Sequence, residues 1–267
     1  MGKKTLKIGS TVCACVLVAL VVVMWTGRNT PPANSSPTVS GPRSWPNEPP
    51  GFRPVTDQPW NPQPALGWSL AWGQTAVVTD SSAPLSPPNV LEETYPIGFQ
   101  GGDAPGTQVR SLPSLTSMYL GMWWKASDPW QGHNSNVNKI QFLFPRGKND
   151  ITMVMYGVPG GPYELRVIPQ FENQPSEWLR PNAKQVPVTL GVWHRIEWLL
   201  VYNTTTEPAN GICKWWLDGQ LVGDYTNVLY PASPMVDYKL SPTWGGVGSA
   251  KTENDYFRYD HIYISGR

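Results

Sequence analysis

The stretch Val192–Tyr225 constrains this chain more than any other. From Trp193 to Tyr202 the side chains sort with the period of two that a strand imposes. His194, Ile196, Trp198, Leu200 and Tyr202 share one face, and Trp193, Arg195, Glu197, Leu199 and Val201 share the other. After a polar loop, Trp215 and Leu217 again oppose Lys214, Trp216 and Asp218, and Asp218-Gly219 turns the chain into a third short strand. A ribbon with one apolar face and one charged, aromatic face needs a second sheet to cover the first. The other face is left for solvent or a ligand.

The rest of the chain repeats the pattern. Leu115–Ala126, Asn138–Phe144, Ile151–Tyr156, Tyr163–Phe171 and Tyr256–Ser265 read as strands, with shorter pieces at Trp68–Val78 and Val90–Tyr95. In Asn138–Phe144 the alternation puts Ile140, Phe142 and Phe144 on the core side and Lys139 and Gln141 on the other. Gln174–Val188 reads as a long loop punctuated by proline, and Tyr230–Pro242 as irregular. No stretch beyond the N-terminal leader sustains a helical period. With 29 Pro, 25 Gly and 14 Trp in 267 residues, the fold class is all-β: a two-sheet antiparallel jelly-roll sandwich over residues 65–267.

Lys3, Lys4 and Lys7 precede the apolar run Val12–Trp25. Residues 1–27 therefore read as a signal peptide or a signal anchor, and either exports the remainder of the chain. Residues 28–64, rich in Pro and Ser, read as a semi-rigid linker. The expected location is extracytoplasmic, with membrane contact only through the N-terminal segment if it stays uncleaved. After the leader Cys213 stands alone, so no intrachain disulfide is available and packing must hold the domain. Twenty basic against 19 acidic residues give no electrostatic case for nucleic acid. A monomer is expected.

Three segments carry a family resemblance: Trp193-His194-Arg195-Ile196-Glu197, Lys214-Trp215-Trp216-Leu217-Asp218-Gly219 and Tyr259-Asp260-His261-Ile262-Tyr263-Ile264-Ser265. They resemble the late strands of concanavalin A-like lectin/glucanase domains, the superfamily that includes laminin-G-like and polysaccharide-lyase-like jelly rolls. The resemblance implies the fold. It leaves function open among lectins, hydrolases, lyases and adhesion modules. The glucanase motif Glu-x-Asp-x-x-Glu meets Glu253–Arg258 here, with Arg in place of the second carboxylate that retaining chemistry requires. Of the alginate-lyase strands, Arg195-Ile196-Glu197 and Tyr256-Phe257-Arg258 echo two, and Lys139-Ile140-Gln141 lacks the histidine of the third.

The expected site is a polar, aromatic sheet face collecting Lys139, Gln141, Arg195, Glu197, Lys214 and Trp216, continued by Tyr119, Trp123 and Lys125. Aromatic rings cover the apolar face of a pyranose, while cations and amides meet its hydroxyls and carboxylates. The expected partner is therefore a polysaccharide, bound on a concave sheet face. A lyase or hydrolase acting at the same face, or an envelope adhesion module, is the alternative. In the loop Asp128–Asn136, His133 is the one histidine placed to act as acid or base. No cofactor is required. In the family an aspartate placed like Asp260 often helps hold a structural Ca²⁺.

Overall fold

The computed structural model describes residues 45–60, 67–71, 74–147, 149–172 and 178–267. The leader and the first part of the linker lie outside them. The described residues contain no helix. They form β1 (Arg53–Pro59), β2 (Trp68–Ala71), β3 (Thr75–Thr79), β4 (Asn89–Tyr95), β5 (Thr107–Leu115), β6 (Ser117–Ala126), β7 (Val137–Pro145) and β8 (Asp150–Tyr156). The chain continues through β9 (Tyr163–Gln170), β10 (Pro187–Val188), β11 (His194–Val201), β12 (Gly211–Leu217), β13 (Gln220–Val228), β14 (Met235–Leu240) and β15 (Asp255–Gly266).

One sheet runs β13-β12-β11-β6-β15-β4-β3, with β1 also on β15; the other runs β10-β9-β8-β7-β14-β5-β2. Every strand pair is antiparallel. The apolar face of the ribbon lies inside, as its alternation requires. Ile196, Trp198, Trp215 and Leu217 pack with Met122 and Trp124 against Ile140, Leu143, Met153, Leu165 and Tyr238 of the facing sheet. Trp124, Trp198, Trp215 and Trp244 are essentially fully buried. Each removes roughly 200 Å² from water, about 5 kcal/mol of transfer free energy before ordering costs. Cys213 lies in this core as a free thiol, its pKa pushed up to about 12 by burial.

Local chemistry fixes the ribbon. Asp218 and Gly219 both take positive φ, 51° and 79°, as the tight turn between β12 and β13 demands. The Asp218 carboxylate accepts from the Arg195 amide at 2.8 Å and bonds His194 Nδ1 at 2.7 Å. The Nε2 of His194 lies 2.9 Å from the Thr189 carbonyl. Burial alone would pull the pKa of His194 down, but Asp218 outweighs it and raises it.

Three expectations need correction. The segment expected as linker contains β1, which pairs with β15, Pro59 opposite His261 and Arg53 opposite Gly266. Tyr230–Pro242, read as irregular, contains β14, which joins β5 to β7. In β7 a bulge between Lys139 and Gln141 reverses the phase of the strand. Ile140 and Leu143 point inward, Gln141 is buried beside Met153, and Phe142 and Phe144 move to the outer face.

Candidate functional site

The expected site residues divide between the two sheets. Tyr119, Trp123 and Lys125 on β6, Arg195 and Glu197 on β11, and Lys214 and Trp216 on β12 share the outer face of the first sheet. Their register sets Arg195 opposite Trp123, and Glu197 opposite both Gly121 and Trp216. Lys139 lies on the outer face of the other sheet, and Gln141 lies in the interior.

The first sheet's outer face is already occupied. Trp45 lies on Gly121, where a Cβ would come within 2.3 Å of its ring, and stacks on Tyr263 with centroids 6.0 Å apart. Asn47 donates its backbone N–H and its side-chain amide to the two oxygens of Glu197, each at 3.0 Å. The hydroxyl of Tyr263 donates to Glu48 at 2.7 Å. Beneath this strap Glu197 also accepts from Tyr119 and from Arg195 Nε, the latter at 3.0 Å. Tyr119 and Glu197 are fully buried. Lys214 is paired with Asp224 at 2.9 Å. Lys125 is paired with Asp80 and lies 4.7 Å from the ring centroid of Trp193. These side chains meet on one face, where Tyr119, Lys125, Arg195, Glu197 and Lys214 each already have a partner within the protein.

The second sheet's outer face is open only in part: Val137, Thr152, Val154 and Ile168 are buried on it, and cavities lie beside them. Across it the register aligns Lys139 with Val154 and Arg166, and Phe142 with Thr152 and Ile168. Three adjoining cavities follow this face. One of about 240 Å³ is lined by Ser135, Val137, Lys139, Thr152, Ile168, Gln170, Trp178, Gly245 and Gly246. A second of about 430 Å³ lies among Tyr156, Arg166, Trp178 and Arg180. The third, about 480 Å³, runs from Tyr156 and Arg166 to Val186 and Pro187. Shared lining residues, Trp178 between the first two and the Tyr156–Arg166 pair between the last two, set them in a row along the face, here called the groove. The Arg166 guanidinium lies 3.5 Å from the Tyr156 ring centroid, and Glu164 holds its Nε at 2.6 Å. The Tyr156 ring meets Trp178 edge-on at 5.5 Å. Burial lowers the pKa of the Lys139 ammonium. It raises the Asp150 carboxyl to about 6, against the opposing pull of Lys139 and Lys239.

Tyr156, Arg166, Trp178 and Arg180 escaped sequence reasoning. In Ile151–Tyr156 both faces are apolar, so alternation cannot tell which one is wet. Arg166 and Glu164 do alternate with Leu165 and Val167, and that signal pointed to this face. Two of the six large apolar side chains exposed among the described residues, Val158 and Trp178, line these cavities.

His133 is buried directly behind the groove wall. A Cβ on Gly245 would come within 1.8 Å of its ring. Its Nδ1 accepts from the Ser135 amide at 3.0 Å, which places the proton of the neutral ring on Nε2, and burial lowers its pKa. The groove is thus shaped by His133 without direct contact. Asp260 is buried, and its carboxylate accepts from the amides of Leu85 and Ser86, the latter at 3.0 Å, and from the Ser86 hydroxyl. Among the described residues no group of three His, Cys, Asp or Glu side chains is gathered to hold a metal ion.

No family model matches the sequence, and no curated protein matches it. The fold has clear counterparts. An endo-β-1,4-glucuronan lyase from the fungus Trichoderma reesei superposes with a TM-score of 0.58 at 17% identity, covering 80% of this chain and 96% of its own. An alginate lyase in complex with an alginate trisaccharide gives 0.57 at 14%, covering 79% and 97%. Domain 4 of an extracellular arabinanase from Geobacillus stearothermophilus, in complex with arabinotriose, gives 0.50 at 11%, covering 80% and 93%. At these identities the likeness shows the fold alone, a two-sheet antiparallel jelly-roll sandwich.

Proposed function

We propose that this is an exported protein that binds an acidic polysaccharide along the groove on the outer face of the β7–β8–β9 sheet. One observation carries the reading: a row of cavities across three strands is lined by Lys139, Arg166 and Arg180, with Glu164 the one carboxylate and Trp178 and Tyr156 among the lining residues. Spaced cations meet carboxylates repeated along a polymer, and the ring faces cover sugar planes. The structural counterparts that act on or hold glucuronan, alginate and arabinotriose support the polysaccharide class.

Cleavage by β-elimination is the second reading. Lys139, which lines the smallest of the three cavities and whose pKa burial lowers, is the residue that would serve as its base. Incubating the domain with glucuronan, alginate and neutral glucans tests both readings. Retention of the uronans over the glucans is expected. New ultraviolet absorbance from unsaturated ends would establish the lyase. Equal or absent retention of all the polymers would sink the proposal.

A further inference from the structure

The groove is not uniform along its length, and its wide end lacks the chemistry of its middle. Beyond the Arg166–Tyr156 stack the cavity of about 480 Å³ is walled by Val158, Pro162, Tyr163, Val186 and Pro187. None of these carries a charge. Tyr163 turns its hydroxyl away to the Trp130 carbonyl and the Gly160 amide, at 3.3 and 3.2 Å, so only its ring is offered. Val158, 53% exposed, is among the cavity's lining residues. The polar side chains of its lining are the Gln185 amide, the Arg166 guanidinium and the Glu164 carboxylate, which accepts from Arg166 Nε at 2.6 Å.

A bare uronic acid polymer presents hydroxyls and carboxylates at every residue. Placed against this wall they would lose water without gaining partners, at a cost of about 1–3 kcal/mol each. An ester substituent has the opposite chemistry: a methyl group that profits from an apolar wall, and a carbonyl that needs one donor. We infer that the Val158–Pro187 chamber receives an O-acetylated residue of the polysaccharide, with its methyl against Val158, Val186 and Pro187 and its carbonyl toward Gln185 or Arg166. The carboxylate of a neighbouring residue then lies at the Arg166–Arg180 stretch. This rests on the proposed binding function and adds the substitution pattern that the groove selects.

The test uses one uronan in two forms, acetylated and chemically deacetylated, titrated calorimetrically into the domain. The acetylated form should bind about fourfold tighter for each methyl group buried. In Val158→Trp, where an exposed position leaves the fold intact and the new ring fills the chamber, the two forms should bind equally. Equal affinities in the wild-type protein, or tighter binding of the deacetylated form, would overturn the inference while leaving polysaccharide binding in place. If neither form binds, the functional reading falls with it.

Discussion

The two outer faces are built from the same kinds of residue and have opposite fates. Each has tyrosine, arginine, lysine and glutamate on neighbouring strands, with a tryptophan on or beside them. On the first sheet the Glu197 oxygens are taken by Asn47, Tyr119 and Arg195, and the aromatic floor around Gly121 is filled by Trp45. On the second, Arg166 is held by one carboxylate while Arg180, Lys139 and Trp178 line open space. A decorated sheet face is therefore not yet a binding face. What separates the two is whether the chain supplies its own occupant.

The sharpest way to break this comparison is Trp45→Ala. Removing a tryptophan that is 5% exposed should cost about 3 kcal/mol or more of stability in urea denaturation and leave uronan affinity unchanged. Loss of binding without loss of stability would reverse the roles of the faces. Gly121→Ala attacks the same contact from below and should cost roughly 2 kcal/mol by overpacking, because a new methyl must displace the Trp45 ring. On the open face the order inverts. Lys139→Ala and Arg180→Ala should each weaken uronan binding about tenfold, the scale of one charge-assisted hydrogen bond, whereas Arg195→Ala should leave it alone.

The smallest effect concerns pH. Asp150 lies on the groove sheet with its carboxyl raised to about 6. Below that value it is neutral and the groove is more cationic; above it the carboxylate offsets Lys139 and Lys239. Affinity for a uronan should fall about threefold from pH 5 to pH 7.5, the scale of a partly screened charge, and Asp150→Asn should flatten the profile. The stability linkage has the same sign. Because the folded pKa lies above the ordinary value of 3.8, this group's contribution is complete below 3.8 and is lost as pH rises through about 6.

The fold was legible where alternation is strict and one face is polar. β6, β11, β12 and β15 emerged because Met, Trp and Ile interleave with Arg, Glu, Tyr and Lys. β1 was hidden by its prolines, which read as linker but are tolerated on a strand beside the sheet edge. β14 was hidden because Met235–Leu240 is only six residues long and lies between prolines. The site was legible by composition but not by address. Lys139 and Arg195 alternate alike, and nothing local says which sheet each strand joins. The β7 bulge then misled outright: one extra residue sends Gln141 inward, so a period of two counted across it assigns every later side chain to the wrong face.

The strap and β1 have a practical corollary for shortened forms of the protein. β1 occupies one flank of β15 from His261 to Gly266 while β6 holds the other. A chain begun at residue 65 would leave that flank as a row of bare amides and carbonyls, beside an uncovered patch of Tyr119, Tyr263 and Leu199. Unprotected edges of this kind recruit strands from other molecules. Fragments trimmed to the obvious start of the domain should self-associate, and those retaining Trp45 should not.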